Sequence, residues 1–246
     1  MVHPRVTEHR RIWEQKPVLR AVYSDYAHRI REACVAGTTA EVGAGSGWLA
    51  DLLPVAVRTD LLLTPWVDVA ARAEELPLRT GSISNVVGVD VLHHFPRPRA
   101  FFSEVERVLQ PQGRCILIEP AITPLSWAFL TAFHEEPVEL FVDPLADQIT
   151  TSRDPFEANQ AIPTLLFGGE ARRFKAAFPT LRVHCVSRFS FLAYPLSGGF
   201  RRWSLIPTGW VGGLLGLEAA LAPMLGPFSA FRLMIVLEKS VSGSRR

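Results

Sequence analysis

The sequence predicts an α/β protein whose sheet is mostly parallel and carries helices on both faces. Three observations lead there. Between residues 10 and 120, short apolar runs alternate with amphipathic stretches of helical period, the pattern of strand–helix–strand units. A glycine turn, Gly43-Ala44-Gly45-Ser46-Gly47, lies where one such run passes into the next, and glycine there permits left-handed backbone or close approach of a ligand. With 246 residues, 48% hydrophobic and 20% charged, the chain suits one domain of ordinary core size.

The elements follow in order. Residues 10–34 place Trp13, Val18, Leu19, Val22, Tyr26 and Ile30 at helical spacing, and Gly37 ends that helix. Residues 39–43 read as a strand. The glycine turn then opens a helix that Pro54 stops. A second strand is expected over 55–63, a helical segment over 68–73 and a buried strand over 86–91. Residues 97–109 form a helix with Phe101, Phe102, Val105 and Leu109 on one face, Pro111-Gln112-Gly113 makes a turn, and 115–119 is another buried strand. Beyond Pro120 the pattern loosens. Helices are expected over 121–133 and 161–178, strands over 181–193 and 231–237, and an acidic, proline-broken stretch over 134–160. About 40 residues join the last two strands, a length usual for functional insertions. The tail 240–246 is expected to fray.

Composition excludes several classes. The net charge of +2 gives no overall basic field for nucleic acid. Cys34, Cys115 and Cys185 are far apart, without zinc spacing, which fits small packing residues in a reducing compartment. The charged N-terminus reads as no signal peptide, so a cytoplasmic location is expected. From Trp203 to Phe231 the only charged residue is Glu218, but glycines and prolines interrupt the run. It reads as a buried cap or as a peripheral membrane surface rather than a spanning helix.

The turn's spacing is Gly-x-Gly-x-Gly, neither that of dinucleotide binders nor that of a phosphate loop, and no lysine follows. Four signals extend it: Glu41 to Gly47; Asp60 at the end of the next strand; Ala73-Glu74-Glu75-Leu76-Pro77-Leu78; and Asp90-Val91-Leu92-His93-His94-Phe95, followed by Arg107–Gly113 and Glu119-Pro120. In this order, over about 80 residues, the chain resembles the class I S-adenosylmethionine-dependent methyltransferases of the small-molecule type. The resemblance implies a Rossmann-like, doubly wound, seven-stranded sheet, mostly parallel with an antiparallel last strand, and a cap inserted in the C-terminal half. It implies an N-terminal helical segment (1–36), an S-adenosylmethionine-binding core (37–120), a substrate-side half completing the sheet (121–239) and the tail.

The resemblance also implies site roles. Gly43, Ala44, Gly45 and Gly47 bring backbone to the cofactor. Asp60 accepts from both ribose hydroxyls, a bidentate task suited to a carboxylate. Glu41 either holds the methionine end or only orients the loop. Ala73 and Glu74 border adenine, with Arg72 where the family commonly has an aspartate, so the backbone or Glu74 must accept from the adenine amino group. Asp90 lies beside the methyl-transfer centre. His93 or His94 is a candidate general base, or the pair packs and positions. Clusters around His134 and Glu136, Asn159, and Tyr194 and Ser197 resemble segments of a bacterial subgroup and supply candidate acceptor contacts. No second histidine stands at ligand spacing from His134 and Glu136, so no metal is expected. Tyr23 and Tyr26 either fold over the cofactor or pack on the sheet.

The expected function is methyl transfer from S-adenosylmethionine to a small-molecule or lipid-linked acceptor, at oxygen, without nucleic acid. The alternative is a methyltransferase-like, non-catalytic binding module at a membrane surface.

Overall fold

The computed structural model describes residues 2–134, 136–150, 154 and 156–241. Glu135 of the acidic cluster and the tail residues 242–246 lie outside the described residues. Seven strands form one sheet: β1 (Thr39–Val42), β2 (Val57–Asp60), β3 (Val69–Ala70), β4 (Ile83–Val89), β5 (Leu109–Pro120), β6 (Leu181–Phe189) and β7 (Arg232–Lys239). Their order is β3-β2-β1-β4-β5-β7-β6. The pairings are parallel from β3 to β5, whereas β7 runs antiparallel to both β5 and β6. The expected doubly wound, seven-stranded sheet is therefore present. Strand order reverses between β1 and β4, which opens a crevice at their carboxyl ends.

Period-two alternation assigns the strand residues to two cores. Val86, Cys115, Leu117, Leu233 and Ile235 face one side, with Phe101, Phe102, Phe174 and Phe178. Val87, Ile116, Ile118, Met234 and Val236 face the other, with Trp13, Leu19, Tyr23 and Tyr26. The first side is covered by α3 (Pro98–Val108), α5 (Ile162–Phe167) and α6 (Ala171–Ala177). The second is covered by α1 (Pro4–Gln15) and α2 (Pro17–Ala33).

Several expectations are corrected. The N-terminal helix is two helices, because Pro17 drives Lys16 out of the helical region, to φ −113° and ψ 90°. After the glycine turn there is only a 3-10 turn, Leu49–Asp51. The run from Trp48 to Pro54 is too short to nucleate more. The segment 68–73 contains edge strand β3, not a helix. Asp68 holds it against β2 through two bonds from the Arg58 guanidinium, 2.9 and 2.6 Å. The Pro111–Gly113 turn is a bulge inside β5, with Gln112 at φ +66°. Helix 161–178 is broken into α5 and α6 at Gly168-Gly169. Cys185, expected in a buried run, is exposed on β6 at the sheet edge.

The long connection between β6 and β7 holds α7 (Ala193–Ser197), a 3-10 turn (Thr208–Trp210) and α8 (Val211–Ser229). Beside α8 packs α4 (Pro124–Phe133), started by a Thr123–Ser126 capping box.

Candidate active site

The crevice widens into a cavity of about 980 Å³, floored by the carboxyl ends of β1, β2, β4 and β5 and by the amino end of β7. Gly43, Ala44, Gly45, Asp60, Ala73, Glu74, Asp90, His93, His94, His134, Glu136 and Tyr194 all line it. Glu41, Gly47, Asn159 and Ser197 do not. Asn159 clips two loops, exchanging bonds with the backbone of Glu139. Ser197 donates to Tyr194 O at 2.6 Å and accepts from Gly199 N, closing α7.

At one end of the cavity the glycine turn follows β1. Gly43 has φ +66°, and a Cβ there would come within 2.1 Å of Val91 Cγ1, so only glycine lets the turn pass under β4's end. Asp60 accepts from Gly45 N at 2.9 Å and from Leu62 N at 2.8 Å, which fixes its carboxylate at the cavity wall. Burial raises its pKa, opposed by these backbone donors. Glu74 is buried, lines the cavity, and its Oε1 has Arg72 Nη2 at 3.6 Å but no hydrogen bond. Glu41 sits beneath the turn with Oε2 unbonded, and burial pushes its carboxyl up to about 8.

At the other end, β4 is followed by Asp90, which is left-handed at φ +56° and ion-paired with Arg232 at the start of β7. Arg232 is buried, stacked 3.9 Å from the centre of the Tyr194 ring and 5.8 Å from that of Tyr26. Burial opposes its charge, but Asp90 together with Tyr194, Tyr26 and Tyr23 outweighs burial and raises its pKa. Tyr23 lines the cavity beside this cluster, while Tyr26 packs behind it.

The 3-10 turn Leu92–His94 presents the two histidines. His93 Nδ1 lies 2.6 Å from Glu119 Oε2, and Glu119 Oε1 accepts from Val91 N and Leu92 N at 2.9 Å each. His93 Nε2 lies 3.6 Å from Glu136 Oε2. Burial alone would lower the pKa of His93, but Glu119 and Glu136 overcome it and raise it to about 10. Burial and the neighbouring His93 lower His94 to about 4. Burial opposes ionisation of Glu136, yet His93 holds its carboxyl down at about 2. Neutral His94 has Nδ1 3.2 Å from the Glu157 carbonyl, which can only accept.

Arg232 was not singled out from the sequence, and Glu119 entered only within the Glu119-Pro120 signal, with no role in the site. Each is a charge bordering an apolar run, residues 115–118 for Glu119 and 233–237 for Arg232, and that contrast was the available signal. Gln160, a buried donor to Glu136, and Glu157, which acts through its carbonyl, left no such trace.

Residues 40–117 match the family model for a methyltransferase domain. An S-adenosylmethionine-dependent methyltransferase from Thermotoga maritima, a possible histamine N-methyltransferase, superposes with a TM-score of 0.58 at 16% identity, over 96% of each chain. A second, from Archaeoglobus fulgidus, superposes with a TM-score of 0.54 at 12% identity, over 89% of this chain and 94% of its own. No curated protein matches the chain in sequence. Its residues 40–117 belong to the methyltransferase-domain family, and the chain has the fold of the class I S-adenosylmethionine-dependent methyltransferases.

Proposed function

We propose that the chain binds S-adenosylmethionine in the crevice between β1 and β4 and methylates an oxygen of a small-molecule or lipid-linked acceptor. One observation carries the reading: the left-handed glycine turn, the Asp60 carboxylate and the buried Glu74 carboxylate converge on one cavity at the switch point. When bound, S-adenosylmethionine supplies an electrophilic methyl group on a sulfonium. The chain's own residues fit it. Asp60 offers two acceptor oxygens to the ribose diol. Glu74, whose Oε1 has no hydrogen bond, stands in for the family aspartate that Arg72 replaces and accepts from the adenine amino group. Glu41 lies outside the cavity wall, which favours its loop-orienting role.

The acceptor occupies the end lined by His93, His94, His134, Glu136 and Tyr194. Asp90 and Arg232 form a fixed charge pair on its floor, and the His93–His94–Glu136 edge handles the acceptor's oxygen and its proton. Proximity and orientation of the bound reactants lower most of the barrier. Calorimetric titration with S-adenosylmethionine tests the reading. Binding at micromolar concentrations is expected, and no heat at high micromolar concentrations overturns it.

A lipid-linked acceptor is favoured by the surface around the cavity. Phe133 and Trp203 line the cavity and are also exposed, next to the exposed apolar faces of α4 and α8. That face is suited to resting on a bilayer from which an amphiphile reaches the cavity.

A further inference from the structure

We propose that His93, His94 and Glu136 hold one divalent first-row transition-metal ion at the acceptor end of the cavity. The inference rests on the oxygen-acceptor reading above and replaces a free histidine base with a metal-bound acceptor oxygen.

The donor atoms come first. One ring nitrogen from each histidine and a carboxylate oxygen of Glu136 all lie within 4.8 Å of one another. Nitrogens and oxygens about 2.1 Å from a shared ion stand roughly 3 to 3.5 Å apart. His93 Nε2 and Glu136 Oε2, at 3.6 Å, are already near that separation. The turn Leu92–His94 places the two rings side by side, with centroids 4.3 Å apart.

The supporting atoms come second, and they distinguish this cluster from an incidental gathering of polar groups. A metal-bound histidine characteristically donates its other ring N–H to a carboxylate or a backbone carbonyl. Both histidines do so. His93 Nδ1 is held by Glu119, which is fully buried and itself fixed by two backbone amides. His94 Nδ1 is held by the Glu157 carbonyl. In each ring the proton at Nδ1 leaves the Nε2 lone pair for a ligand. Buried Gln160 donates to Glu136 Oε2, which orients that carboxylate. Asn159 N also bonds His93 O at 2.9 Å and so ties the two segments together.

Two imidazoles and one carboxylate select zinc, iron, cobalt, nickel or manganese over magnesium and calcium, which prefer oxygen ligands. All three side chains line the cavity, so the remaining coordination positions face the acceptor. An acceptor hydroxyl bound there loses its proton to solvent more readily, because the ion stabilises the resulting alkoxide or phenolate. No change of oxidation state is involved. The competing occupant of the same charge environment is a proton on His93 Nε2.

The test uses the full chain, stripped with chelator and titrated with Zn²⁺ or Co²⁺ alone. Bound metal is counted by mass spectrometry, and the Co²⁺ visible absorption is recorded. One ion per chain and a Co²⁺ d–d spectrum are expected. His94→Ala and Glu136→Gln should each weaken binding at least tenfold. Glu119→Gln should weaken it by about 10- to 100-fold through loss of the outer support. His184→Ala, on exposed β6, should bind as the parent does. S-adenosylmethionine affinity, measured on the same proteins, reports folding and tests the cofactor reading separately. No ion bound above the level of Glu136→Gln, or a Co²⁺ spectrum indifferent to both ligand substitutions, overturns the metal and leaves the proton as the occupant.

Discussion

At Asp60, one backbone amide holds each carboxylate oxygen, Gly45 N on Oδ2 and Leu62 N on Oδ1, which leaves it fixed in position at the cavity wall. A ligand diol therefore meets acceptors that need no reorganisation. Asp60→Asn should weaken S-adenosylmethionine binding by about 100-fold, the loss of two charge-assisted hydrogen bonds, and lower the thermal midpoint by a few degrees, because the amide nitrogen faces one of the two backbone N–H groups. Titration calorimetry and a melting curve check both. Glu74→Gln tests the replacement for the missing adenine-side aspartate. About a tenfold loss of affinity is expected, because an amide can turn its oxygen to the amino group but carries no charge. Affinity equal to the parent's would leave adenine to the backbone. His94→Ala should lower turnover by about 100-fold while leaving cofactor affinity in place, whether the ring takes a proton or holds an ion.

At the scale of elements, one buried charge links segments that the sequence leaves far apart. Lys16, at the break between α1 and α2, donates to the carbonyls of Gly199, Arg201 and Trp203 at 2.8, 2.6 and 2.8 Å. Lys16→Met should cost about 2 kcal/mol in chemical denaturation, since three carbonyls lose their donor. Glu41 gives a pH signature. Its folded pKa, about 8, is above its ordinary value, so between those two values the folded state binds more protons than the unfolded. That contribution to stability is greatest in acid and is lost as pH rises toward 8. Glu41→Gln mimics the protonated form, so the parent's melting temperature should fall relative to the variant's between pH 5 and pH 8. Parallel profiles would show that Glu41 does not titrate there.

The element boundaries show what a local reading can and cannot resolve. Long amphipathic segments such as 97–109 were legible, because burial of one face imposes a period on the residues themselves. The β3 segment was not, because two residues carry no period, and the Arg58–Asp68 pairing that fixes them is a contact across strands. The break at Lys16 could have been read from Pro17, whose ring disfavours helix at the residue before it.

For the whole molecule, the apolar C-terminal stretch resolves into a helix with two unlike faces. The helical run Thr208–Ser229 is long and apolar enough to cross a membrane by length and composition, yet only 17% of its apolar window is buried. Its one charge, Glu218, points inward and accepts from the amides of Phe191, Leu192 and Ala193, so α8 is pinned to the body of the protein. Leu217, Met224 and Phe228 face outward, beside Trp210 and, on α4, Leu125, Trp127 and Phe133. Arg201 borders the face, donating to the Phe133 carbonyl at 3.1 Å, and tryptophans beside a basic residue suit a lipid interface. Replacing Leu217, Met224 and Phe228 together by glutamate should abolish co-sedimentation with anionic vesicles while leaving S-adenosylmethionine binding intact. Equal partitioning of the parent and the triple variant would exclude this face as the anchor.

The sequence by itself determined the class of fold and the donor-side motifs. A strand–helix alternation and a glycine turn constrain the backbone locally, so their residues must stand in one order within about 80 positions. The cavity end proposed for the acceptor was decided only by tertiary structure. Glu119, Glu136, Gln160, Tyr194 and Arg232 come from five separate segments, and no local spacing records that they meet. What brings them together is β7 inserting antiparallel between β5 and β6, which carries Arg232 to Asp90, and the loop after α4 folding back over the histidine turn. Long-range packing of two hydrophobic faces sets those positions, and it leaves no period in the sequence to read.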